Sequence, residues 1–461
     1  MSNIANSALQ NHPNYSWLAE YDRFAPYIEE EISSGIRKNR MGTFSLRFTD
    51  ENGEPIAPDS VSAVQLTHEF KFGSTLFLVD QFPEEEKNRK FRDLYCRLFN
   101  YGIVPIYWDA LEPKEGHYRY EKDSEPIWRR PPIDTAVEFA RENGIRMKAH
   151  CLAYNSFNPD WLSKNNREIN VSLDRRIRSF AERYTYDFED MDVINEMISI
   201  YKNCYPGNGC RNFQITDEYD HEKRCFDRAK HCFPETRLFW NEGIHETFDI
   251  SYYRGTRSNY FMMLKNRLAE GCQIEGIGMQ FHAYIGRGDN DPSKTVYFNP
   301  LRTMDIFDCY EKFDLPIHLS EVSIPSWSNS PDDELFQAEV VRRMYRLWFS
   351  RKNVEAIIWW NPVDGCAYKS ESKYCTGLLH QDLSEKLAYK ELRRLIFEEW
   401  HTEEHFSEKK ENYIFKGFYG DYLIKAEHNG RLYEKKVRLF RDTTGYDNRL
   451  MDFRPTEIIL S

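Results

Sequence analysis

Short apolar runs alternate with longer amphipathic segments from about residue 70 to about residue 398. The short runs have the length of buried strands, while the segments between them, such as Pro132 to Asn143 and Asp333 to Ser350, repeat apolar residues at helical spacing. The pattern predicts eight strands: Phe70 to Leu76, Val104 to Trp108, Arg146 to Leu152, Asp192 to Glu196, Arg237 to Glu242, Gly276 to His282, Pro316 to Val322 and Glu355 to Asn361.

Eight strand–helix units in a segment of this length favour an α/β fold of the (β/α)8 type, a TIM barrel, over an open doubly wound sheet. No glycine-rich phosphate loop follows the first predicted strand, which also argues against a dinucleotide-binding fold. We therefore predict a barrel over residues 70–398.

Small β-rich elements flank the predicted barrel on both sides. Gly42 to His68 has the alternation of paired strands, and Tyr413 to Leu439 repeats the pattern with a hairpin signal at Asn429-Gly430. These patterns predict an N-terminal arm and β-strand segment over residues 1–69 and a small C-terminal β element over residues 399–461.

Three peripheral segments have two interpretations each. We favour a structural role over a carbohydrate-binding module for the C-terminal element, because it is short and only moderately aromatic. The loop from Ile200 to Phe213 follows the fourth strand, and its two interpretations are a loop that contacts substrate and a loop that does not. An arm that packs on the barrel is favoured over a sugar-stacking cluster for the N-terminal aromatic residues Tyr15, Trp17, Tyr21 and Phe24.

Composition narrows the class of partner. Hydrophobic residues make up 41% and aromatic residues 15% of the 461, which supplies a packed core and excludes a disordered chain. The formal charge of −12 argues against a nucleic-acid partner, because duplex affinity comes mostly from neutralising phosphates, and a sugar suits this chain better.

No run approaches 18 consecutive apolar residues, so no membrane span is predicted. The polar Met1 to Ser16 lacks the apolar centre of a secretory signal, which predicts a cytoplasmic protein, or a secreted one if a leader has been removed.

The predicted strands end in polar and aromatic residues, although their interiors are apolar. In a TIM barrel the functional side chains lie at these carboxyl ends. Glu196 ends the fourth strand and Glu321 the seventh, on opposite sides of the barrel mouth, so their side chains can converge. The full set at the strand ends is Trp108, Asp109, His150, Asn195, Glu196, Asn241, Glu242, Gln280, His282, Glu321, Trp360 and Asn361.

Two carboxylates that face each other across a cleft are the minimum needed to break a glycosidic bond. One must be protonated to assist the leaving oxygen, and the other must be ionised to attack or stabilise the anomeric carbon. Asn195 is placed to bond a sugar hydroxyl, and His282 to donate to Glu321. The alternative is that both glutamates are barrel-rim residues in salt bridges. This chemistry requires no metal and no organic cofactor, so we expect neither.

An ordered set of local motifs resembles glycoside hydrolase family 10, the xylanase family. Residues 192–196, Asp-Val-Ile-Asn-Glu, are similar to the family's Asp-Val-Val-Asn-Glu, and residues 274–282 are close to its Ile-Asp-Gly-Ile-Gly-Met-Gln-Gly-His. The resemblance spans about residues 40 to 398, and its remaining segments are 108–113, 149–162, 317–324 and 378–389.

The resemblance implies a TIM barrel that carries out a retaining double displacement. Glu196 would be the acid/base and Glu321 the nucleophile. The residues implied to bind substrate are His150, Asn195, Gln280, His282, Trp360, Trp108, Tyr154 and Asn155.

Two parts of the family pattern are changed in this chain. Before the strand-two tryptophan the family has Glu-Asn-x-x-Lys, which holds hydroxyls of the sugars on the non-reducing side, whereas residues 103–107 are Ile-Val-Pro-Ile-Tyr. After strand three the family's Trp-His pair is replaced by Tyr154-Asn155, and Tyr368 is a candidate for the aromatic residue after strand eight. These changes leave the carboxylate pair intact and rebuild part of the glycone site.

The sequence therefore predicts a hydrolase of β-1,4-xylan or decorated xylo-oligosaccharides, with a polysaccharide or oligosaccharide as its partner. A related retaining β-glycosidase that acts on a different or branched glycan is the first alternative. A polysaccharide-binding barrel without catalytic activity is the second.

Overall fold

The computed structural model describes residues 9–198, 219–439 and 456–460. Its strands, in chain order, are β1 Met41–Thr49, β2 Pro55–Ile56, β3 Ser60–His68, β4 Lys71–Thr75, β5 Tyr101–Pro105, β6 Arg146–Tyr154, β7 Asp190–Asn195, β8 Arg237–Glu242, β9 Gly276–His282, β10 Ile317–Ser323, β11 Val354–Trp359, β12 Glu403–Phe406, β13 Asn412–Phe418, β14 Gly420–His428, β15 Arg431–Leu439 and β16 Thr456–Ile459.

The α-helices lie mostly between the barrel strands. They are α1 Tyr15–Arg40, α2 Glu85–Cys96, α3 Trp108–Leu111, α4 Ile133–Glu142, α5 Asn166–Tyr184, α6 His221–Cys232, α7 Ile244–Thr247, α8 Asn259–Ala269, α9 Pro292–Thr295, α10 Pro300–Tyr310, α11 Pro331–Ser350 and α12 Leu387–Arg394. Short 3-10 turns occupy Val296–Phe298, Glu311–Phe313 and Lys369–Tyr374, and a π-helical turn occupies Leu395–Glu399. Across the described residues, none of these helices combines the length and apolar character that crossing a bilayer requires.

Strands β4 to β11 form a closed, parallel eight-stranded barrel, which confirms the predicted fold. The second strand differs from its prediction, because β5 ends at Pro105 and Trp108 begins helix α3. The apolar run from Tyr101 to Trp108 is continuous, so its pattern does not mark the strand end. Proline has no N–H to continue a ladder, and one backbone bond from Ile106 to His150 closes it.

Two antiparallel-rich sheets beside the barrel combine strands from both ends of the chain. In one sheet β1 pairs with β13 and β16, and in the other β3 pairs with β12 and β14. A shared core lies between them, made by inward-facing residues such as Phe48, Tyr413 and Tyr422.

The N-terminal arm packs on the barrel, as its aromatic residues predicted. Trp17 of α1 is fully buried and stacks on Phe298, with ring centroids 4.3 Å apart. The His12 ring lies against Phe336 and bonds Asp333 at 3.0 Å. These contacts fix the arm against the helix α11 side of the barrel.

A buried ionic cluster closes the end of the barrel where the strands begin. Lys71 of β4 is fully buried and lies 2.6 Å from Asp190 and 3.1 Å from Glu355. Arg237 of β8 pairs with the same two carboxylates, at 2.7 Å and 2.9 Å. Burial alone would raise the pKa of Glu355, but Lys71 and Arg237 together lower it to about 2. The cluster therefore joins β4, β7, β8 and β11 at the end opposite the mouth.

The lowered pKa of Glu355 predicts a pH-dependent contribution to stability. A carboxyl group with a lowered folded-state pKa stabilises the fold above its unfolded value, and this contribution is lost as pH falls through the folded value. We expect Glu355→Gln to reduce the free energy of unfolding by about 1–3 kcal/mol at pH 7, because the side chain is 32% exposed and partly screened. The difference from wild type should shrink as pH falls from about 4.5 towards about 2.

Urea denaturation at pH 7, 5, 4 and 3 measures this contribution. Glu235→Gln is the matched control, because Glu235 is exposed and lies just before β8. A Glu355→Gln deficit that stays constant over the whole pH range would contradict the assignment.

Candidate active site

A cavity of about 320 Å³ opens at the mouth of the barrel, where the strands end. Its size suits a small ligand or part of a longer one. Seven of the ten residues predicted from the sequence line it, namely His150, Tyr154, Asn195, Glu196, His282, Glu321 and Trp360.

The two glutamates lie close together across the mouth. Glu196 directly follows β7, and Glu321 lies on β10. Gln280 of β9 donates from one nitrogen, Nε2, to Oε1 of Glu196 and to Oε1 of Glu321, at 2.9 Å in each case. The two Oε1 atoms can therefore be no more than twice that distance, 5.8 Å, apart.

Hydrogen-bond donors surround the carboxylate of Glu321. Asn241 donates to its Oε1 at 2.7 Å, Gln280 to the same atom at 2.9 Å, and His282 Nε2 to its Oε2 at 2.9 Å. Burial raises the pKa of Glu321, and the carboxylate of Glu196 acts in the same direction, whereas His150 and the bond from Asn241 lower it. The donors thus offset part of the cost of a buried charge beside another carboxylate.

His282 donates to Glu321, as the sequence predicted, through a neutral ring. Burial lowers the pKa of His282, which leaves one ring N–H at neutral pH. The network assigns that proton to Nε2, because Nδ1 lies 3.0 Å from the hydroxyl of Ser323 and can accept from it. The ring is therefore held in the tautomer that serves Glu321.

A buried chain of contacts from Lys148 through Asp192 orients the other histidine, His150. His150 Nδ1 lies 2.9 Å from Asp192, and the other oxygen of Asp192 lies 2.6 Å from Lys148. The free nitrogen of His150 is 4.0 Å from Glu321. The contact with Asp192 therefore fixes the imidazole of His150 beside the carboxylate pair.

Tyr154, the last residue of β6, bonds directly to Glu196. Its hydroxyl donates to Glu196 Oε2 at 2.6 Å. Burial and the nearby charge of Glu196 raise the pKa of Tyr154, so the hydroxyl keeps the proton that it donates. Glu196 thus has a donor on each oxygen, Gln280 on one and Tyr154 on the other. Its own backbone is in the left-handed region, with φ of 52°.

The two tryptophans at the end of β11 point in opposite directions. Trp360 lines the cavity, edge-on to His150 and His282 at 5.2 Å and 5.9 Å between ring centroids. Trp359 lies in the core and donates its indole N–H to the backbone of Thr376. This agrees with the inward orientation predicted for Trp360. Tyr368 also lines the cavity, with its ring 5.3 Å from that of Phe157.

Three predicted residues lie outside the cavity lining. Trp108 is buried in α3, where its indole N–H donates to Glu112, because the strand before it ends three residues earlier than predicted. Asn155 is buried beyond the end of β6. Gln280 lies between the two carboxylates and not on the cavity wall.

Glu242 supports the segment that follows Glu196. It is fully buried, accepts from the indole of Trp240 at 2.9 Å and from the backbone N–H of Ile198 at 3.0 Å. Burial raises its pKa to about 8. The segment Ile200 to Phe213, which the sequence offers as a possible substrate contact, lies outside the described residues.

Sequence reasoning missed the role of Asn241, and it missed Arg129 and Arg130 altogether. Asn241 was in the strand-end set, but its bonds to Glu321 and Asn195 depend on the neighbouring strands. Arg129 and Arg130 line the cavity from the loop between α3 and α4. The available signal was an adjacent basic pair before Pro131-Pro132 in a loop on the mouth side.

Comparison with known proteins gives relatives of two kinds. The chain is 24% identical over 409 residues to the anti-sigma-I factor RsgI6 of Acetivibrio thermocellus, which is 87% of this chain and 47% of that protein. It is 28% identical over 200 residues to endo-1,4-beta-xylanase A of Halalkalibacterium halodurans, which is 39% of this chain and 45% of that enzyme. The chain spans less than half the length of either relative.

Solved structures share the barrel. Xylanase 10B from Thermotoga petrophila, determined in complex with xylobiose, superposes with a TM-score of 0.54 at 20% identity and covers 72% of this chain and 95% of its own. A family 10 structure from Paenibacillus barcinonensis gives a TM-score of 0.55 at 19% identity, over 71% of this chain and 94% of its own. At such identities the likeness shows the fold.

The sequence profile described as Glycosyl hydrolase family 10 matches residues 105–395. This stretch begins at the last residue of β5 and includes the remaining six barrel strands, together with Glu196 and Glu321. Because the match covers more than half of the 461 residues, the chain belongs to glycosyl hydrolase family 10.

Proposed function

We propose that this protein is a retaining glycoside hydrolase that cleaves β-1,4-xylosidic bonds in xylan or decorated xylo-oligosaccharides. The observation that carries the proposal is the bridge from Gln280 to both Glu196 and Glu321, which keeps their facing oxygens within 5.8 Å. Retaining enzymes hold the two carboxyl groups about 5–5.5 Å apart, whereas inverting enzymes need about 6.5–9.5 Å for a water molecule. The upper limit of 5.8 Å on the distance between the facing oxygens favours the retaining geometry.

In the proposed first step, a carboxylate oxygen of Glu321 attacks the anomeric carbon of the bound sugar. The bond from that carbon to the leaving oxygen breaks, and the leaving oxygen takes the proton of Glu196. The product is a glycosyl ester on Glu321 and a released chain with a new hydroxyl group.

In the second step, Glu196 acts as a base. It removes a proton from a water molecule, the water oxygen bonds to the anomeric carbon, and the ester bond to Glu321 breaks. Both glutamates return to their starting states, and the configuration at the anomeric carbon is retained.

The remaining polar residues would bind the sugar at the cleavage point. Asn195 and His150 line the cavity beside the carboxylates, and Trp360 supplies an aromatic wall. Gln280 and His282 direct their hydrogen bonds at Glu321, so we assign them to positioning the nucleophile.

The names of relatives support xylan as the first substrate class to test, since several are called endo-1,4-beta-xylanases. The second candidate is a polysaccharide-binding barrel without turnover, and a relative that matches over more of this chain is named an anti-sigma-I factor and not a hydrolase. The carboxylate pair argues against it, because binding alone does not require two carboxylates held this close.

Exchange of each glutamate tests the proposed roles separately. We expect Glu321→Ala to lose more than 10³-fold in kcat on every substrate, since no covalent intermediate can form. Glu196→Ala should lose as much in kcat/KM on xylan but far less in kcat/KM on an aryl β-xyloside with an acidic phenol, because kcat/KM reports the first step and that leaving group departs without a proton. Product chromatography and phenol release measure the two activities.

Glu235→Gln is the surface control in these assays. Equal losses by Glu196→Ala on both substrates would contradict its role as the acid. Wild-type protein that binds xylan but releases no product from xylan, arabinoxylan or a β-glucan would favour the binding barrel.

Tyr154 is proposed as a positioning residue for Glu196. Tyr154→Phe removes the donor at 2.6 Å from Glu196 Oε2, and a hydrogen bond to a charged group corresponds to about 10- to 100-fold. We expect kcat/KM to fall by that factor on xylan and by a smaller factor on the activated aryl β-xyloside, where proton transfer to the leaving group matters less. Steady-state kinetics on both substrates give the two ratios.

Tyr186→Phe is the matched control, because Tyr186 is exposed. A uniform loss on both substrates would mean that Tyr154 acts only through the shape of the cavity.

A further inference from the structure

Two adjacent arginines lie in the wall of the cavity. Arg129 and Arg130 belong to the loop between α3 and α4, and only 5% and 8% of their surfaces are exposed. Arg129 holds a left-handed backbone conformation, with φ of 63°, which is uncommon for a residue other than glycine. The proposed cleavage reaction does not use either residue.

Neither guanidinium has an acidic partner among the described residues. Arg129 Nη2 donates to the side chain of Asn361 at 3.0 Å, and Arg130 Nη1 donates to the backbone carbonyl of Arg129 at 3.0 Å. Their other donor nitrogens form no hydrogen bond to any described residue. Buried cations are normally paired, because removing their hydration is costly.

Two carboxylates act on the pair from a distance but do not neutralise it by contact. Burial and Arg130 lower the pKa of Arg129, while Glu371 acts in the opposite direction. Glu371 is separated from Arg129 by Asn361, which donates to Glu371 at 3.2 Å. The charge of Arg130 acts to lower the pKa of Asp109. Neither the Asp109 nor the Glu371 carboxylate lies within 4.0 Å of the two guanidinium groups.

Aromatic rings hold the two arginines in place. The guanidinium carbon of Arg130 lies 4.1 Å from the ring centre of Tyr107 and 5.4 Å from that of Phe157. The guanidinium carbon of Arg129 lies 5.6 Å from the ring of Phe77. The side chains are therefore preorganised, so that a ligand would not have to order them.

The arginine pair lies on the rebuilt side of the site. Tyr107 occupies the position just before Trp108, where the family pattern has a lysine. The ring centroids of Tyr107 and His150 lie 5.4 Å apart, and Nε2 of His150 lies 4.0 Å from Oε1 of Glu321. Arg130 is therefore one aromatic ring removed from the residues around the proposed nucleophile, on the side where the resemblance places the non-reducing sugars.

We propose that Arg129 and Arg130 form a subsite for the carboxylate of a uronic acid on the glycone side of the substrate. This inference rests on the proposed function and names its substrate class: an acidic glycan, such as a glucuronic-acid-substituted xylan. A planar guanidinium can bind a carboxylate through two parallel hydrogen bonds. In a chain with a formal charge of −12, such a glycan requires a local cationic site.

A matched pair of substrates isolates the carboxylate. One is a xylo-oligosaccharide that carries a glucuronic acid, and the other is the same oligosaccharide with the carboxyl group reduced to an alcohol. We expect wild-type kcat/KM to be about 10- to 100-fold higher for the acid form, as expected for a charge-assisted hydrogen bond. A wild-type ratio near one would overturn the proposal.

Variants then assign the preference to the two arginines. Arg129→Gln and Arg130→Gln should each reduce the acid-to-alcohol ratio towards one. Arg97→Gln changes the net charge equally, but Arg97 is exposed at the end of α2, so the ratio should stay at the wild-type value. Ratios that remain high in both cavity variants would contradict the assignment.

A binding measurement separates this inference from the proposed function. Calorimetry of Glu321→Ala with the acid and alcohol oligosaccharides needs no turnover. Tighter binding of the acid form in a protein whose wild type cleaves no glycan would keep the subsite and reject the hydrolase. Cleavage of unsubstituted xylan with equal binding of both oligosaccharides would keep the hydrolase and reject the subsite.

Discussion

Two carboxylates, that of Glu321 buried and that of Glu196 partly buried, share one hydrogen-bond donor at the centre of this structure. Gln280 donates to both Glu196 and Glu321, so their facing oxygens lie within 5.8 Å. Like charges this close and at least partly removed from water repel each other, and the surrounding donors offset that cost. Asn241 and His282 serve Glu321, while Tyr154 serves Glu196. Every proposal on the chemistry of this protein depends on this arrangement.

The barrel supplies the rigidity that such a pair requires. Its strands end together at the mouth, which brings side chains from β6, β7, β9 and β10, and from the residue after β11, around one cavity. At the opposite end, Lys71 and Arg237 join carboxylates from β7 and β11 in a buried cluster. Charged residues are therefore concentrated at both ends of the barrel. Those at the end where the strands begin stabilise the fold, and those at the mouth carry the proposed chemistry.

The site combines a familiar pair of carboxylates with a changed neighbourhood. The stretch before Trp108 has lost the polar residues that the family pattern has there, and Tyr107 lies under the guanidinium of Arg130 instead. A hydrogen-bonding site can reject a ligand that lacks its partner group by orders of magnitude, so such exchanges alter which sugar is accepted. The bond-breaking pair can remain the same while the selected glycan changes.

Hydrophobic periodicity determined the barrel, its eight strands and the position of both glutamates, because strand alternation and strand ends are local properties of the chain. It did not determine that β5 ends at Pro105, since the apolar run continues to Trp108 and only pairing with β6 shows where the ladder stops. Nor did it find the roles of Asn241 or of Arg129 and Arg130. Those depend on distances between residues far apart in the chain, and such distances exist only once the barrel has closed.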